Sequence, residues 1–453
     1  MVAGVAALGG FLFGFDSAVI NGAVDAIQEE FGLGSVLLGF TVSCALLGAM
    51  AGAWIAGPLA DRKGRVRAML LAAVLFTVSA VGSGLAFGVG DLIAWRFIGG
   101  IGVGMASVLA PAYIAEVSPA HSRGRLGSLQ QLAIVTGIFV ALLSDALIAS
   151  VAGGASEVTW LGLEAWRWMF LTEIVPAVLY GALAWRLPES PRYLVSKNRF
   201  AEAGVVLGDV VGLRTKEAVE EKLAAIKATI NMETRQSLGS LFGGKGRLLP
   251  IVWVGIALSV FQQFVGINVI FYYSTSLWRS VGFTESNSLT VTVITSITNI
   301  AVTILAIALV DKVGRRPMLL AGSAGMTLSL GLMAVCFSQS TGAGDDVSLP
   351  QPWGVVALIA ANLFVVSFGA TWGPVVWVLL GEMFSNKIRA IALSVAAAAQ
   401  WLANFVITTS FPYLAEIGLV LAYGLYASFA LLSLFFVWKF VEETKGKELE
   451  SMR

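Results

Sequence analysis

Twelve apolar runs, each about twenty residues or longer and parted by short polar breaks, leave this chain one natural solvent, the hydrocarbon of a lipid bilayer. In that medium only helices or closed barrels satisfy every backbone N–H and C=O. The runs lie near 2–24, 34–60, 67–87, 90–114, 126–150 and 167–187, then near 248–278, 286–310, 316–338, 352–380, 388–410 and 418–441. With 57% of 453 residues hydrophobic and 13% charged, a soluble globule would lack the polar surface to cover its core. The first run has no basic leader and no small-residue cleavage site, so it is read as a span and not as a removable signal.

The expected fold is therefore all-α and integral to the membrane, with twelve transmembrane helices in two six-helix halves. Expected boundaries are 1–188 for the first bundle, 189–247 for a linker, 248–441 for the second bundle and 442–453 for a tail. The linker holds most of the charge outside short loops, and helical patterns at 200–211 and 215–230 make it a soluble tether.

Lys and Arg follow alternate spans: Arg62, Lys63, Arg65 and Arg67; Arg123 and Arg125; Lys312, Arg315 and Arg316; Lys387 and Arg389. The other loops are acidic or bare, which predicts cytoplasmic termini and a cytoplasmic linker. A net charge of +1, with no basic block interleaved with aromatics, gives no reason to expect nucleic acid. Cys44 and Cys336 lie in apolar segments of opposite halves and are expected as buried thiols. The single histidine, His121, has no partner at ligand spacing, so neither a metal nor another cofactor is expected. No nucleophile and base pair suggests an enzyme. The run Gly99-Gly-Ile-Gly-Val-Gly104 lacks the ending of a phosphate loop, and Gly100, Gly104 and Ser107 instead allow close helix approach.

The loops repeat. Asp61-Arg-Lys-Gly-Arg65 recurs as Asp311-Lys-Val-Gly-Arg315, Glu116 with Arg123 recurs as Glu382 with Arg389, and Pro188-Glu-Ser-Pro-Arg192 has a counterpart in Glu442-Glu-Thr-Lys-Gly446. Duplicated halves place a binding site where they meet, near the bilayer midplane. These carboxylates and guanidinium groups are expected to pair across the cytoplasmic seam and latch it, with Glu116, Arg123, Glu382 and Arg389 foremost and Asp61, Arg65, Asp311, Arg315 and Glu173 beside them. The plainer alternative is positive-inside charge that only orients helices.

With Phe261-Gln-Gln-Phe-Val-Gly-Ile-Asn268 and Glu443-Thr-Lys-Gly446 added, the chain resembles the major facilitator superfamily, and within it the sugar porter family, from Gly9 to Lys447. Glu442 departs from the proline common there. The resemblance implies pseudo-symmetric halves, alternating access and a monosaccharide substrate carried by a monomer in a bacterial inner membrane.

Ionisable groups inside spans are costly and usually functional. Asp16, Arg96 and Glu173 are read as such groups. A carboxylate that alternates between apolar packing and an arginine can take up and release a proton. The resemblance matches Asp16 and Arg96 to the coupling pair of proton-driven members, whereas passive facilitators commonly carry asparagine at the aspartate. Proton symport is expected, a fixed Asp16–Arg96 hydrogen bond being the alternative. A sugar's hydroxyls call for amides and aromatic N–H or O–H groups. Gln262, Gln263, Asn268, Asn299, Trp377, Gln400 and, in the first half, Gln131 meet that description and match the family's sugar site; helix-to-helix glue is the alternative. Gln262, Gln263 and Asn268 share no face of a straight helix, so either the helix unwinds near Gly266 or they act in different states, and the resemblance implies unwinding. Phe13, Phe271 and Tyr272 offer ring faces, and Ile138 an aliphatic wall. Relatives that carry xylose tend to place glutamine at Ile138 and leucine at Phe271, so D-glucose is expected. A passive facilitator, a xylose/proton symporter and a non-transporting sugar sensor are the rivals.

Overall fold

The computed structural model describes residues 2–118, 123–213, 215–233, 238–242, 247–341, 348–384 and 388–444. Apart from three isolated bridges, regular structure among them is helical. The first half contains α1 (Val2–Ala18), α2 (Ile20–Phe31), α3 (Ser35–Lys63), α4 (Arg65–Gly84), α5 (Val89–Val117), α6 (Arg123–Ala152), α7 (Ala165–Thr172) and α8 (Ile174–Ala184). The linker forms α9 (Pro191–Ser196), α10 (Phe200–Asp209) and α11 (Lys216–Glu233). The second half follows with α12 (Pro250–Phe264), α13 (Ile267–Arg279), α14 (Glu285–Val313), α15 (Arg315–Phe337), α16 (Trp353–Ser367), α17 (Gly373–Met383), α18 (Arg389–Ile417) and α19 (Leu419–Phe440).

Among the described residues, 11 helical runs are long and apolar enough to cross a membrane. The twelfth span is α7 with α8, which the turn at Glu173 divides into pieces too short to qualify alone. The fold is thus all-α with twelve spans, six in each half of the sequence. Observed ends depart from the expected ones where charge marked a stop. The first run continues to Phe31 because Asp25, Glu29 and Glu30 keep a helical backbone while their carboxylates find partners.

Two spans are broken where the backbone leaves the α conformation. Gly266 holds φ +82° between α12 and α13, a conformation that costs a side-chain-bearing residue more than glycine. Phe368–Trp372 forms a π turn between α16 and α17, the kind of irregularity that tends to mark functional helices. The glycine-rich stretch of α5 lies hard against α3: a Cβ at Gly100 or Gly104 would stand 2.0 or 1.9 Å from the carbonyl oxygens of Ala45 or Ala49. Close approach, and not phosphate binding, is what those glycines provide.

The chain divides into two units that cut across the sequence halves. One comprises Met1–Ser17, Cys44–Val140 and Phe170–Gln236; the other comprises Ala18–Ser43, Ala141–Met169 and Ser237–Arg453. In the first, the linker builds its own small core from Leu194, Val195, Ala203 and Val206, covered by Phe200, Leu223 and Ile226. Ser190 caps α9 by accepting from the Arg192 and Tyr193 N–H groups, and Pro191 at the first helical position loses no bond.

Candidate functional site

Asp16 on α1 and Arg96 on α5 meet in the first unit, 1% and 2% exposed. Arg96 Nη1 donates to Asp16 Oδ1 at 3.3 Å and to the Asp16 carbonyl at 3.1 Å, so one nitrogen serves both acceptors. This is a looser arrangement than a bidentate fork. Asp16 Oδ2 and Arg96 Nε have no hydrogen-bond partner. The guanidinium lies 5.6 Å from the Phe170 ring centroid. A buried pair with spare valence on both sides can exchange a proton for its partner without dismantling the surrounding packing.

Glu173 lies near this pair. It sits at the α7–α8 break, 1% exposed, within electrostatic reach of Asp16 and Arg96. The sequence marks it as an ionisable group of the sixth span, and it stands at the interruption of that span.

The second unit gathers the amides. Gln262 is buried, and its Nε2 donates to the carbonyls of Trp372 at 3.0 Å and Gly373 at 3.2 Å, groups exposed by the π turn. Asn268 Nδ2 donates to Gln263 Oε1 at 2.6 Å, across the break at Gly266. The helix does unwind there, which is how residues from different faces converge. Asn299 on α14 lies beside the same π turn, its Oδ1 3.3 Å from where a Gly369 Cβ would stand. Gln400 on α18 keeps a buried Oε1 with no partner. Phe271 and Tyr272 are buried on α13, while Trp377 on α17 is 43% exposed. Trp372, at the end of the π turn, is fully buried, and its indole N–H is shared between the Leu319 carbonyl and Ser323 Oγ, each at 3.0 Å. Phe13, Gln131 and Ile138 lie in the first unit, each half-buried. If Gln262 contacts the sugar, it does so through its Oε1, and Gln262→Ala should weaken binding by about 1–3 kcal/mol, because the ligand loses that acceptor while the Trp372 and Gly373 carbonyls lose their donor. Unchanged affinity by isothermal titration would remove Gln262 from the site.

The loop charges form two copies of one cluster. Arg65 donates to Glu116 from Nε and Nη2, both at 3.0 Å, and to Asp61 from Nη1 at 3.0 Å. Arg315 donates to Glu382 from Nε at 3.0 Å and Nη2 at 2.7 Å. Glu189 accepts from the N–H groups of Arg65 and Val66, as Glu443 does from those of Arg315 and Arg316, so each caps the start of a helix. Ser190 donates to Glu116 and Thr444 to Glu382. The expected pairing across the seam turns on Arg123 and Arg389, whose side chains are not among the described ones; the described members of these clusters pair inside each half. The reason is geometric: the turn at Gly64 or Gly314 points the arginine fork at a carboxylate on a neighbouring helix of its own half. Glu189 and Glu443 were legible only as motif letters. The side chains of Arg123, Asp311 and Arg389 lie outside the described residues.

Within the second unit, segments of both sequence halves are joined by a polar seam. Asn21 Nδ2 donates to the Phe271 carbonyl at 2.8 Å, and Thr275 Oγ1 donates to Asn21 Oδ1 at 2.5 Å. Asp25 accepts from Ser276 at 2.6 Å and pairs with Arg279 at 2.7 Å. Ser43 and Thr409 hydroxyls are 2.6 Å apart, and Phe40 meets Phe405 edge to face. One further buried carboxylate escaped the reading of the spans: Asp145 on α6, fully inaccessible to solvent. Its signal was an aspartate inside the apolar run 126–150.

Comparison with known proteins agrees with this architecture. A profile described as "Sugar (and other) transporter" matches residues 2–453. The chain is 60% identical over 454 residues to a "Glucose transport protein" of Synechocystis sp., covering 100% of this chain and 96% of that protein. It is 37% identical over 482 residues to a "D-xylose-proton symporter" of Escherichia coli strain K12, covering 99% and 94% of the two chains. Among solved structures, an inward open conformation of the xylose transporter XylE from E. coli superposes with a TM-score of 0.83 at 37% identity, covering 100% of this chain and 98% of that one. The profile spans nearly every residue and the relatives match end to end, so the chain belongs to the sugar transporter family.

Proposed function

We propose that the protein imports a monosaccharide, D-glucose foremost, together with a proton, by alternating access in a bacterial cytoplasmic membrane. The observation that carries the reading is the buried Asp16–Arg96 pair, joined through one guanidinium nitrogen with one carboxylate oxygen unbonded. Ionised Asp16 holds Arg96; protonated Asp16 loses the charge attraction and frees the guanidinium to rearrange with Glu173 nearby. The amides around the Gly266 break and the π turn supply hydroxyl partners from backbone-tuned positions, and both breaks give the second half local freedom to close on a ligand. The likeness to a glucose transport protein supports glucose, and the likeness to a xylose-proton symporter supports coupling. The functional unit is a monomer in the lipid bilayer, since one chain carries every group the scheme uses.

The Lys and Arg distribution makes both termini and the linker cytoplasmic. The seam through Asn21, Asp25 and Ser43 is then extracellular, closed here, and the Arg65 and Arg315 clusters brace the cytoplasmic ends of each half. Counterflow of labelled glucose in proteoliposomes, competed by a panel of hexoses and pentoses, tests the substrate. Glucose should compete best; stronger competition by xylose or galactose would overturn that choice.

The seam itself yields a prediction. In Ser43→Cys/Thr409→Cys, two sulfurs replace oxygens 2.6 Å apart, within reach of a bond of about 2.0 Å. Oxidation should lock the extracellular side and stop uptake, and a reductant should restore it. Full activity after complete cross-linking would show that the seam does not open during transport.

A further inference from the structure

Asp145 has no place in the coupling scheme, yet its surroundings are those of a built site. The side chain is fully buried, and neither carboxylate oxygen has a hydrogen-bond partner. It packs directly on the backbone of α2 at Gly22, where an added Cβ would stand 2.7 Å from Asp145 Cβ and 2.9 Å from Oδ2. The Gly22 N–H faces the carboxyl without the geometry of a full hydrogen bond. Asn21, the preceding residue, ties the same turn of α2 to Phe271 and Thr275 of α13. Asp145 therefore lies behind the contact that closes the extracellular seam.

Among the described residues, no cation of the surrounding elements is free to pair with it. On α2, Asp25 is engaged by Ser276 and Arg279, Glu29 by Ser156, and Glu30 by Trp166 and Arg167. On the loop before α7 and on α14, Glu164 pairs with Arg167 and Glu285 accepts from the Ala155 N–H. An ionised carboxylate without a counter-charge or hydrogen bonds is not tolerated in a site this dry, so the closed seam demands the neutral acid. When the seam opens, water reaches the group and the charged form becomes affordable.

We propose that Asp145 is a second proton-binding site, loaded from external water as the extracellular seam closes and emptied to the same side as it reopens. The bond formed on closure is O–H on the Asp145 carboxyl, at the expense of a hydronium ion outside. Each closure then takes up one proton beyond any bound at Asp16, so the closed-to-open ratio falls by up to about tenfold per pH unit as external pH rises. The sidedness rests on the transport orientation proposed above; the protonation of Asp145 in the closed state does not.

Two measurements test it. Asp16 and Asp145 are the buried aspartates among the described residues, so purified Asp16→Asn protein carrying carboxyl-labelled aspartate isolates Asp145 in the infrared. A protonated-carboxyl stretch shifted by the label should persist at neutral pH in Asp16→Asn protein and vanish in folded Asp16→Asn/Asp145→Asn. Labelled carboxylate bands alone in the single variant would overturn the proposal, an outcome that needs neither transport nor the double variant. The second arm follows glucose counterflow at equal pH on both sides of the membrane. In the Asp16→Asn background, counterflow should decline several-fold per unit as pH rises, and adding Asp145→Asn should flatten the profile. The same slope in both proteins would refute the gating role even if the infrared band is present. A failure of glucose as substrate would show as absent counterflow with the infrared result intact.

Discussion

Asp16→Asn is expected to abolish accumulation of sugar against its gradient while glucose counterflow continues. Asparagine keeps the size of the side chain and an oxygen to accept from Arg96 Nη1, now 3.3 Å from Asp16 Oδ1. What it loses is the ability to hold or release a proton. The carrier should then cycle as though permanently protonated, so the accumulation ratio falls to unity whatever proton gradient is imposed. Removing one charge from a buried pair also leaves Arg96 uncompensated, which costs about 3–5 kcal/mol in the general case; the nearby Glu173 and the Phe170 ring limit that cost here. Proteoliposomes with an imposed pH gradient provide the measurement, with thermal unfolding recorded alongside. Retained accumulation in a folded Asp16→Asn protein would sink proton symport through this residue.

Gly39→Leu is expected to hold the extracellular seam open. A Cβ at Gly39 would stand 2.2 Å from the carbonyl oxygen of Thr409, a backbone atom that cannot swing aside. The Phe40–Phe405 and Ser43–Thr409 contacts lie on the same stretch of α3 and α18 and must separate if Gly39 does. Overpacking of this kind costs about 1–3 kcal/mol, which lowers the closed-to-open ratio by roughly 5- to 150-fold. Counterflow should fall accordingly while glucose binding from the extracellular side survives. Gly57→Leu is the control on the same helix, because a Cβ there meets nothing within 4 Å. Equal transport by Gly39→Leu and the parent would mean that α3 and α18 do not approach this closely in any working state.

The residues proposed for the sugar site illustrate two degrees of legibility. Polar amides inside apolar runs announce themselves because each must find a partner in lipid, and Gln262, Gln263, Asn268 and Asn299 do occupy one neighbourhood of the second unit. Which partner each finds was not readable: Gln262 is committed to the carbonyls of Trp372 and Gly373, and the Trp372 indole to Leu319 and Ser323. A π turn has no signature as plain as the glycine at 266. Asp145 shows the opposite failure, a residue whose isolation in an apolar run was visible and went unread.

What the sequence determined by itself rests on one-dimensional physics. Span length follows from bilayer thickness and duplication from repeated loop letters, while Lys and Arg counts supply the proposed orientation, and none of these needs a partner in space. The tertiary structure alone decided pairing. It turned Arg65 and Arg315 onto carboxylates of their own halves, brought Glu173 near Asp16 and Arg96, and closed a seam between α2 and α13 through Asn21 and Asp25. Charge pairing falls off over a few ångströms and depends on side-chain direction, so residues hundreds of positions apart acquire their roles only when helices are packed.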